Sequence, residues 1–261
     1  MRKRQPVVFL GHGNPMHALA DDAFSRTLGK LGRELGKPKA IVCVSAHWTT
    51  PGALRVTHMS RPKTIHDFSG FPEELFAVRY AAPGSPKIAE LVRKTLGETG
   101  VELDDDDWGL DHGAWSVLRH MYPDVDVPVV QLSVDVAASG DRQLEVGRKL
   151  APLRDEGVLI IGSGNVVHNL AEMDWSKKAA PVDWAVAFDS FVKRKTEDGD
   201  AGALSGSPDG MPGGSESIPT PEHWYPYLVA MGAADGDKVR WEYEGIENAA
   251  ISMRGASFGR N

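Results

Sequence analysis

The chain has 261 residues, of which 41% are hydrophobic and 25% charged, an ordinary composition for a globular protein. Its net charge of −7 disfavours a general nucleic-acid binder, which needs an excess of basic residues. No apolar run approaches the ~18 residues of a membrane span, and the apolar stretch behind the basic start is too short for a signal peptide. The single cysteine, Cys43, excludes a disulfide framework and a cysteine-based metal site. We therefore expect a cytoplasmic protein with no nucleic-acid or membrane partner.

Short β-branched runs alternate with longer amphipathic patterns along the chain. The patterns predict, in order, a strand at 6–10, a helix at 22–35, a strand at 40–44, helices at 85–97 and 114–121, a strand at 127–132, a helix at 140–153, a strand at 158–161, helices at 182–195 and 221–231, and closing strands at 239–243 and 250–253. This alternation indicates an α/β fold. We expect a single domain over residues 1–261, with a mostly parallel central sheet flanked by helices on both faces.

Two stretches lack a regular pattern. Residues 59–84 combine prolines and glycines with four aromatic side chains, a composition typical of a lid or a pocket wall. Residues 199–217 are rich in glycine, serine and proline and nearly free of large apolar side chains. We expect the second stretch to be a flexible loop inside the domain.

Three of the nine histidines share one context: each follows a predicted strand among small residues. They are His12 in GHG, His47 in SAHW and His168 in GSGNVVH. Ligands bind outside the carboxyl ends of strands in open α/β sheets, so these side chains are expected to converge. With His223, at the start of the last predicted helix, they provide the imidazoles that a Zn²⁺ or Fe²⁺ site requires. The alternative for each histidine alone is a turn residue that is solvated or bonded to nearby backbone.

A further histidine, His112, directly follows Asp111, which is expected to cap the helix behind it. At that helix start the positive end of the dipole favours neutral imidazole, which can donate a hydrogen bond to a substrate oxygen. A solvent-facing helix start is the alternative. The acidic run 104–107 is interpreted as a solvated turn, because consecutive carboxylates point apart.

Two aromatic side chains near these motifs are candidate substrate-binding residues. His66 lies in the aromatic stretch 59–84, and Trp48 directly follows His47. An ordinary core position is an equal alternative for Trp48. Serine hydrolase and phosphate-binding-loop chemistry are not supported, because the glycine and serine spacings do not match those motifs.

Six motifs together resemble one family, the class III extradiol ring-cleavage dioxygenases, and most closely its DOPA 4,5-dioxygenase-like branch. The motifs are 11–16 (GHGNPM), 45–48 (SAHW), 66–72 (HDFSGFP), 110–115 (LDHGAW), 164–170 (GNVVHNL) and 219–224 (PTPEHW). The ending SMR at 252–254 fits the same branch. The resemblance runs in order from about residue 6 to residue 258.

The resemblance implies roles for individual residues. His12 and His47 match the first two metal ligands, and the third is either Glu222 or His223, of which we favour His223. His168 matches the acid/base histidine and is also a candidate ligand in a substrate-free zinc form. His112 matches a histidine that lines the substrate site.

The implied activity is that of a non-haem metal enzyme that inserts O₂ into a catechol ring beside its hydroxyls. Fe(II) is the expected metal for activity, and Zn(II) is the alternative bound metal. The expected partners are a small catechol, O₂ and, as a homo-oligomer, further copies of the chain. The alternative function is a zinc-binding hydrolase or a non-enzymatic metal- or ligand-binding protein of the same fold.

Overall fold

A computed structural model describes residues 4–97, 100–176 and 179–260. Its strands are β1 Val7–Gly11, β2 Ala40–Thr49, β3 Leu54–Thr57, β4 Lys63–Thr64, β5 Val101–Asp104, β6 Gly109–Leu110, β7 Val129–Val134, β8 Val158–Gly164, β9 Val239–Tyr243, β10 Ile246–Glu247, β11 Ile251–Ser252 and β12 Gly255–Phe258. Its α-helices are α1 Ala23–Leu35, α2 Glu73–Phe76, α3 Pro86–Leu96, α4 His112–Met121, α5 Gly140–Leu150, α6 Asp183–Glu197, α7 Ala201–Ser205, α8 Gly214–Ser217 and α9 Tyr225–Ala234. Four 3₁₀ helices lie at Pro15–Leu19, Ala151–Arg154, Leu170–Glu172 and Pro208–Gly210.

Eight strands form one central sheet in the order β5-β3-β7-β2-β8-β1-β12-β9. The four strands in its middle, β7, β2, β8 and β1, are all parallel. Strands β12 and β9 close one edge in antiparallel pairing. The mostly parallel α/β sheet predicted from the sequence is confirmed. Its parallel strands bring the carboxyl ends of β1, β2 and β8 to one edge, which is where the functional residues follow.

The two faces of the sheet carry separate apolar cores. Along β1 the side chains alternate, so that Val7 and Phe9 face one core and Val8 and Leu10 face the other. Helices α3, α5, α6 and α9 cover the first face, and α1 and α4 cover the second. Helices therefore flank the sheet on both faces, as the sequence predicts.

Three segments differ from their predicted form. Strand β2 continues to Thr49, so His47 lies within the strand rather than after it. The strand that pairs with β1 is β12, at 255–258, whereas the predicted strand at 250–253 contributes only β11 to a small ribbon with β10. Segment 199–217 is not an unstructured loop: it holds α7, α8 and a 3₁₀ turn. Buried Leu204 and Ser217 anchor it, which composition alone does not reveal. No helix among the described residues is long and apolar enough to span a membrane.

Candidate metal centre and active site

Five histidines meet at the carboxyl edge of the sheet. Ligand atoms of His12, His47 and His112 lie within 4.8 Å of one another, as do those of His168, Glu222 and His223. The two groups adjoin, because the His223 ring centroid lies 5.4 Å from that of His12 and 5.1 Å from that of His47. The structure thus brings together all five histidines that the sequence analysis selected for metal binding or catalysis.

The neighbours of His12 fix which of its ring nitrogens carries the proton. The Ser163 hydroxyl donates to the Gly113 carbonyl at 2.6 Å, so its oxygen accepts from His12 Nδ1 at 3.1 Å. With Nδ1 protonated, the free lone pair of neutral His12 is on Nε2. That atom lies 3.0 Å from His47 Nε2.

One carboxylate, that of Asp67, holds both His47 and His112. Asp67 Oδ2 lies 3.2 Å from His47 Nδ1 and 2.8 Å from His112 Nδ1, and Oδ1 accepts from the His112 backbone N–H at 2.9 Å. In the tautomer that carries its proton on Nδ1, beside the Asp67 carboxylate, His47 presents the lone pair of Nε2 toward His12. Two lone pairs at 3.0 Å repel each other unless a cation lies beside them. A metal ion bound by both nitrogens would remove this repulsion, since neutral imidazole nitrogens are metal ligands.

The orientation of the His223 ring is fixed by the adjacent Glu222 side chain. Its Nδ1 lies 3.1 Å from Glu222 Oε1, while its Nε2 is buried without a hydrogen-bond partner among the described residues. Glu222 Oε1 is already engaged, since it also accepts from the Thr220 hydroxyl at 2.8 Å. The His168 ring stacks on that of His223, with centroids 3.5 Å apart and planes inclined by 6°.

Burial keeps these imidazoles neutral. It lowers the pKa of His47 to about 3, assisted by the neighbouring His112, and that of His168 to about 4. Burial and the surrounding imidazoles also hold the pKa values of His12 and His223 well below 6.5. Neutral imidazole is the form that binds a metal, so the cluster is ready to do so at pH 7.

The start of α4 positions His112. Asp111 is the cap that the sequence predicts, and its side chain accepts from the Ala114 N–H at 3.2 Å. Burial raises the pKa of Asp111 to about 6, with the nearby Asp67 carboxylate adding to the shift. Gly113 allows the helix to approach the sheet, since a Cβ there would lie 2.5 Å from Ser45 Oγ and 3.0 Å from a carbon of the His47 ring.

A cavity of about 290 Å³ opens onto the histidines. Its apolar lining consists of Pro15, Phe68, Phe71, Leu170, Met173, Trp175 and Ile251. Phe68 and Phe71 belong to the stretch 59–84 that composition predicts to be a pocket wall. Glu247 also lines the cavity, and the sequence carries no signal for it.

Neither predicted substrate-binding residue, His66 or Trp48, lines the cavity. The His66 ring bonds the Val78 carbonyl at 3.1 Å and packs among aromatic side chains. Trp48 is buried and stacks on Trp108 with centroids 5.7 Å apart. Each residue lies in or beside a motif in the sequence, but strand alternation and the path of the loop direct both side chains into packing contacts. Sequence reasoning missed Asp67, although it is the residue directly after His66.

Comparison with known proteins gives one consistent result. Residues 20–259 match the family described as the catalytic LigB subunit of aromatic ring-opening dioxygenase. The chain is 45% identical to the 4,5-DOPA dioxygenase extradiol of Escherichia coli K12, with 98% of this chain and 95% of the relative covered. It is 42% identical to the protein of the same name from Beta vulgaris, over 87% of this chain and 85% of that one.

Structure comparison agrees. A crystal structure of an uncharacterized Escherichia coli K12 protein superposes with a TM-score of 0.82 at 41% identity, covering 98% of this chain and 100% of that one. The zinc-hydrolase and binding-protein alternatives are not favoured by these relatives. The chain belongs to the LigB family of class III extradiol dioxygenases and is a non-haem metal enzyme that opens an aromatic ring with O₂.

Proposed function

We propose that His12, His47 and His223 bind one Fe²⁺ ion, beside which a catechol ring is cleaved. The observation that carries this proposal is the arrangement of the ring nitrogens. All three Nδ1 atoms are engaged by Ser163, Asp67 and Glu222, and the Nε2 atoms of His12 and His47 lie 3.0 Å apart. The buried Nε2 of His223 has no partner among the described residues. A buried nitrogen without a partner is costly, and a metal ion satisfies it.

His223, rather than Glu222, is the third ligand in this proposal. The Glu222 carboxylate accepts from His223 Nδ1 and from Thr220, which is how a carboxylate orients a metal-binding histidine. The resemblance favours His223 over Glu222, and the unpartnered Nε2 supports that choice.

Fe²⁺ supplies open coordination positions and redox chemistry that Zn²⁺ lacks. His168, neutral at pH 7, accepts a proton from a catechol hydroxyl and returns it as the ring opens. His112, whose Nδ1 is bonded to Asp67, lines the cavity and is placed to contact a substrate oxygen. The apolar walls around Phe68 and Phe71 pack against the ring and exclude water.

The substrate we propose is a catechol with a side chain, cleaved beside its hydroxyls as the name of the 4,5-DOPA relatives describes for those proteins. A cytoplasmic location is proposed with it, since the one cysteine, Cys43, is buried and free and suits a reducing compartment. The homo-oligomer stays a prediction, which light scattering on the purified protein tests.

Anaerobic reconstitution of metal-stripped protein tests this function. Protein loaded with Fe²⁺ is expected to consume O₂ with a catechol and to form a yellow semialdehyde product. Protein loaded with Zn²⁺ is the matched control and is expected to bind the metal without consuming O₂. No O₂ uptake with any catechol in the Fe²⁺ sample, at full metal occupancy, contradicts the proposal.

A further inference from the structure

Glu247 is an acidic residue that lines the cavity and has no part in the proposed chemistry. Glu247 is the one acidic or basic side chain, apart from histidine, among the described residues that line the cavity. Around it lie the apolar side chains of Met173, Trp175 and Ile251, together with Asn248. The Glu247 side chain is 38% exposed, so its carboxylate is open to a charged group that enters the cavity.

Strand pairing fixes where Glu247 stands relative to His168. Glu247 pairs with Ile251 in the small β10-β11 ribbon, and Ile251 pairs on its other side with His168. Directly paired residues point to the same face, so all three side chains face the cavity. Two strand spacings separate the backbones of Glu247 and His168 by about 10 Å. A catechol ring held near His168 therefore directs its side chain, rather than its hydroxyls, toward Glu247.

His17, which lies outside the metal cluster, holds Glu247 in place. His17 Nε2 lies 3.0 Å from Glu247 Oε2. The backbone of His17 is held in turn, because its carbonyl accepts from His120 Nε2 at 2.9 Å. The contact with His17 uses one carboxylate oxygen, and no described residue donates to the other, Oε1. Glu247 is thus preorganised with one oxygen left for a ligand.

We propose that Glu247 binds an ammonium group at the end of the catechol's side chain, so that the enzyme prefers catechols that carry an amine. The inference rests on the proposed function and adds to it the residue that selects the substrate's side chain. The hydrogen bond is charge-assisted on both partners, which makes it stronger than a neutral one. Neutral side chains offer the Glu247 carboxylate no ion-pair partner, and carboxylate side chains meet a like charge.

Three substrates with short side chains of different charge test the proposal: dopamine with an ammonium group, 4-ethylcatechol with a neutral chain and 3,4-dihydroxyphenylacetate with a carboxylate. For Glu247→Gln, kcat/KM for dopamine is expected to fall about 10- to 100-fold, chiefly through KM, because a hydrogen bond between charged groups is lost. The value for 4-ethylcatechol is expected to stay within twofold. Glu172→Gln is the matched control, since Glu172 is an exposed carboxylate on the 3₁₀ helix beside the cavity but is not part of its lining. It is expected to change none of the three values more than twofold.

Equal losses for dopamine and 4-ethylcatechol overturn the inference, since they indicate a structural role for Glu247. An unchanged dopamine value overturns it as well, while the dioxygenase activity stands. If Fe²⁺-loaded protein turns over no catechol, the proposed function fails, and calorimetry on Zn²⁺-loaded protein decides the inference separately. Dopamine binding weakened only in Glu247→Gln then supports the ammonium site, and equal affinity in the two proteins rejects it.

Discussion

Among the described residues, the histidine cluster and the acidic turn 104–107 both contain side chains of metal-binding types, and they differ in the contacts that these side chains already make. In the acidic turn 104–107, Asp104 is buried and its carboxylate accepts the backbone N–H groups of Asp107 at 3.1 Å and Trp108 at 2.8 Å. Arg55 lies 3.5 Å from Asp104 and 3.0 Å from Asp107. The carboxylates of this turn are thus engaged in backbone and arginine contacts or exposed to water.

In the histidine cluster the Nδ1 atoms of His12, His47 and His223 contact neighbouring side chains, whereas their Nε2 atoms point toward one another. Ser163 and Glu222 each contact one Nδ1 and Asp67 contacts two, which leaves the Nε2 atoms directed into a common space. The difference shows that proximity alone does not define a metal centre. A metal centre is defined by ligand atoms that are buried, point into a common space and lack other partners.

The largest effect expected within the histidine cluster is on turnover rather than on metal binding. His168→Ala removes the proposed proton carrier and is expected to lower kcat by ~10²–10⁴ while metal content stays near wild type. Oxygen uptake and metal analysis on the same preparation measure both quantities. His58→Ala, at a histidine outside the cluster, is the control and should stay within twofold. A His168→Ala protein that keeps more than about a tenth of wild-type activity would contradict the assigned role.

The second largest effect is expected on metal affinity when Asp67, the carboxylate that contacts His47 and His112, is changed. Asp67→Asn weakens the contacts to His47 and His112, and metal affinity is expected to fall about 10- to 100-fold. Competition of the metal-stripped protein with a coloured chelator for Zn²⁺ measures this affinity. Asp124→Asn, at an exposed carboxylate, serves as the control. Unchanged affinity in Asp67→Asn would show that Asp67 does not orient the ligands.

The neutral histidines also make the metal-free protein acid-sensitive. Because the folded-state pKa of His47 lies near 3 and its unfolded pKa near 6.5, the unfolded chain binds more protons between these values. Stability is therefore fully present above about pH 6.5 and is lost as the pH falls toward 3, by about 1.4 kcal/mol per pH unit for a histidine that stays neutral. Urea unfolding at pH 7.0 and 5.5 measures this slope. His47→Gln should reduce it, and an unchanged slope would refute the contribution of His47.

The smallest effect is expected in the acidic turn, where the comparison predicts no metal site. The double variant Asp106→Asn, Asp107→Asn should leave Fe²⁺ and Zn²⁺ stoichiometry and affinity within twofold of wild type. The same chelator competition provides the values. Loss of a bound equivalent of metal would show that the turn, too, is a binding site.

Much of the fold follows from the sequence because its signals are local. Strand–helix alternation predicts the parallel sheet, and histidines that follow strands predict the cluster, since parallel strands end at a common edge. Asp67 and Glu247 escape such reasoning: the first acts from an irregular loop, and the second from a two-residue strand whose pairing is long-range. The helices within 199–217 escape it too, since tertiary burial of Leu204 overrides a glycine-rich composition.

The choice of the third ligand is the most direct test of the account. Metal-stripped His223→Gln and Glu222→Gln proteins, titrated anaerobically with Fe²⁺ and then assayed for O₂ uptake with a catechol, separate the two adjacent residues. We predict that His223→Gln loses stoichiometric metal binding and O₂ uptake, whereas Glu222→Gln still binds one equivalent with weakened affinity. Full metal binding in His223→Gln, with its loss in Glu222→Gln, would contradict the proposed site.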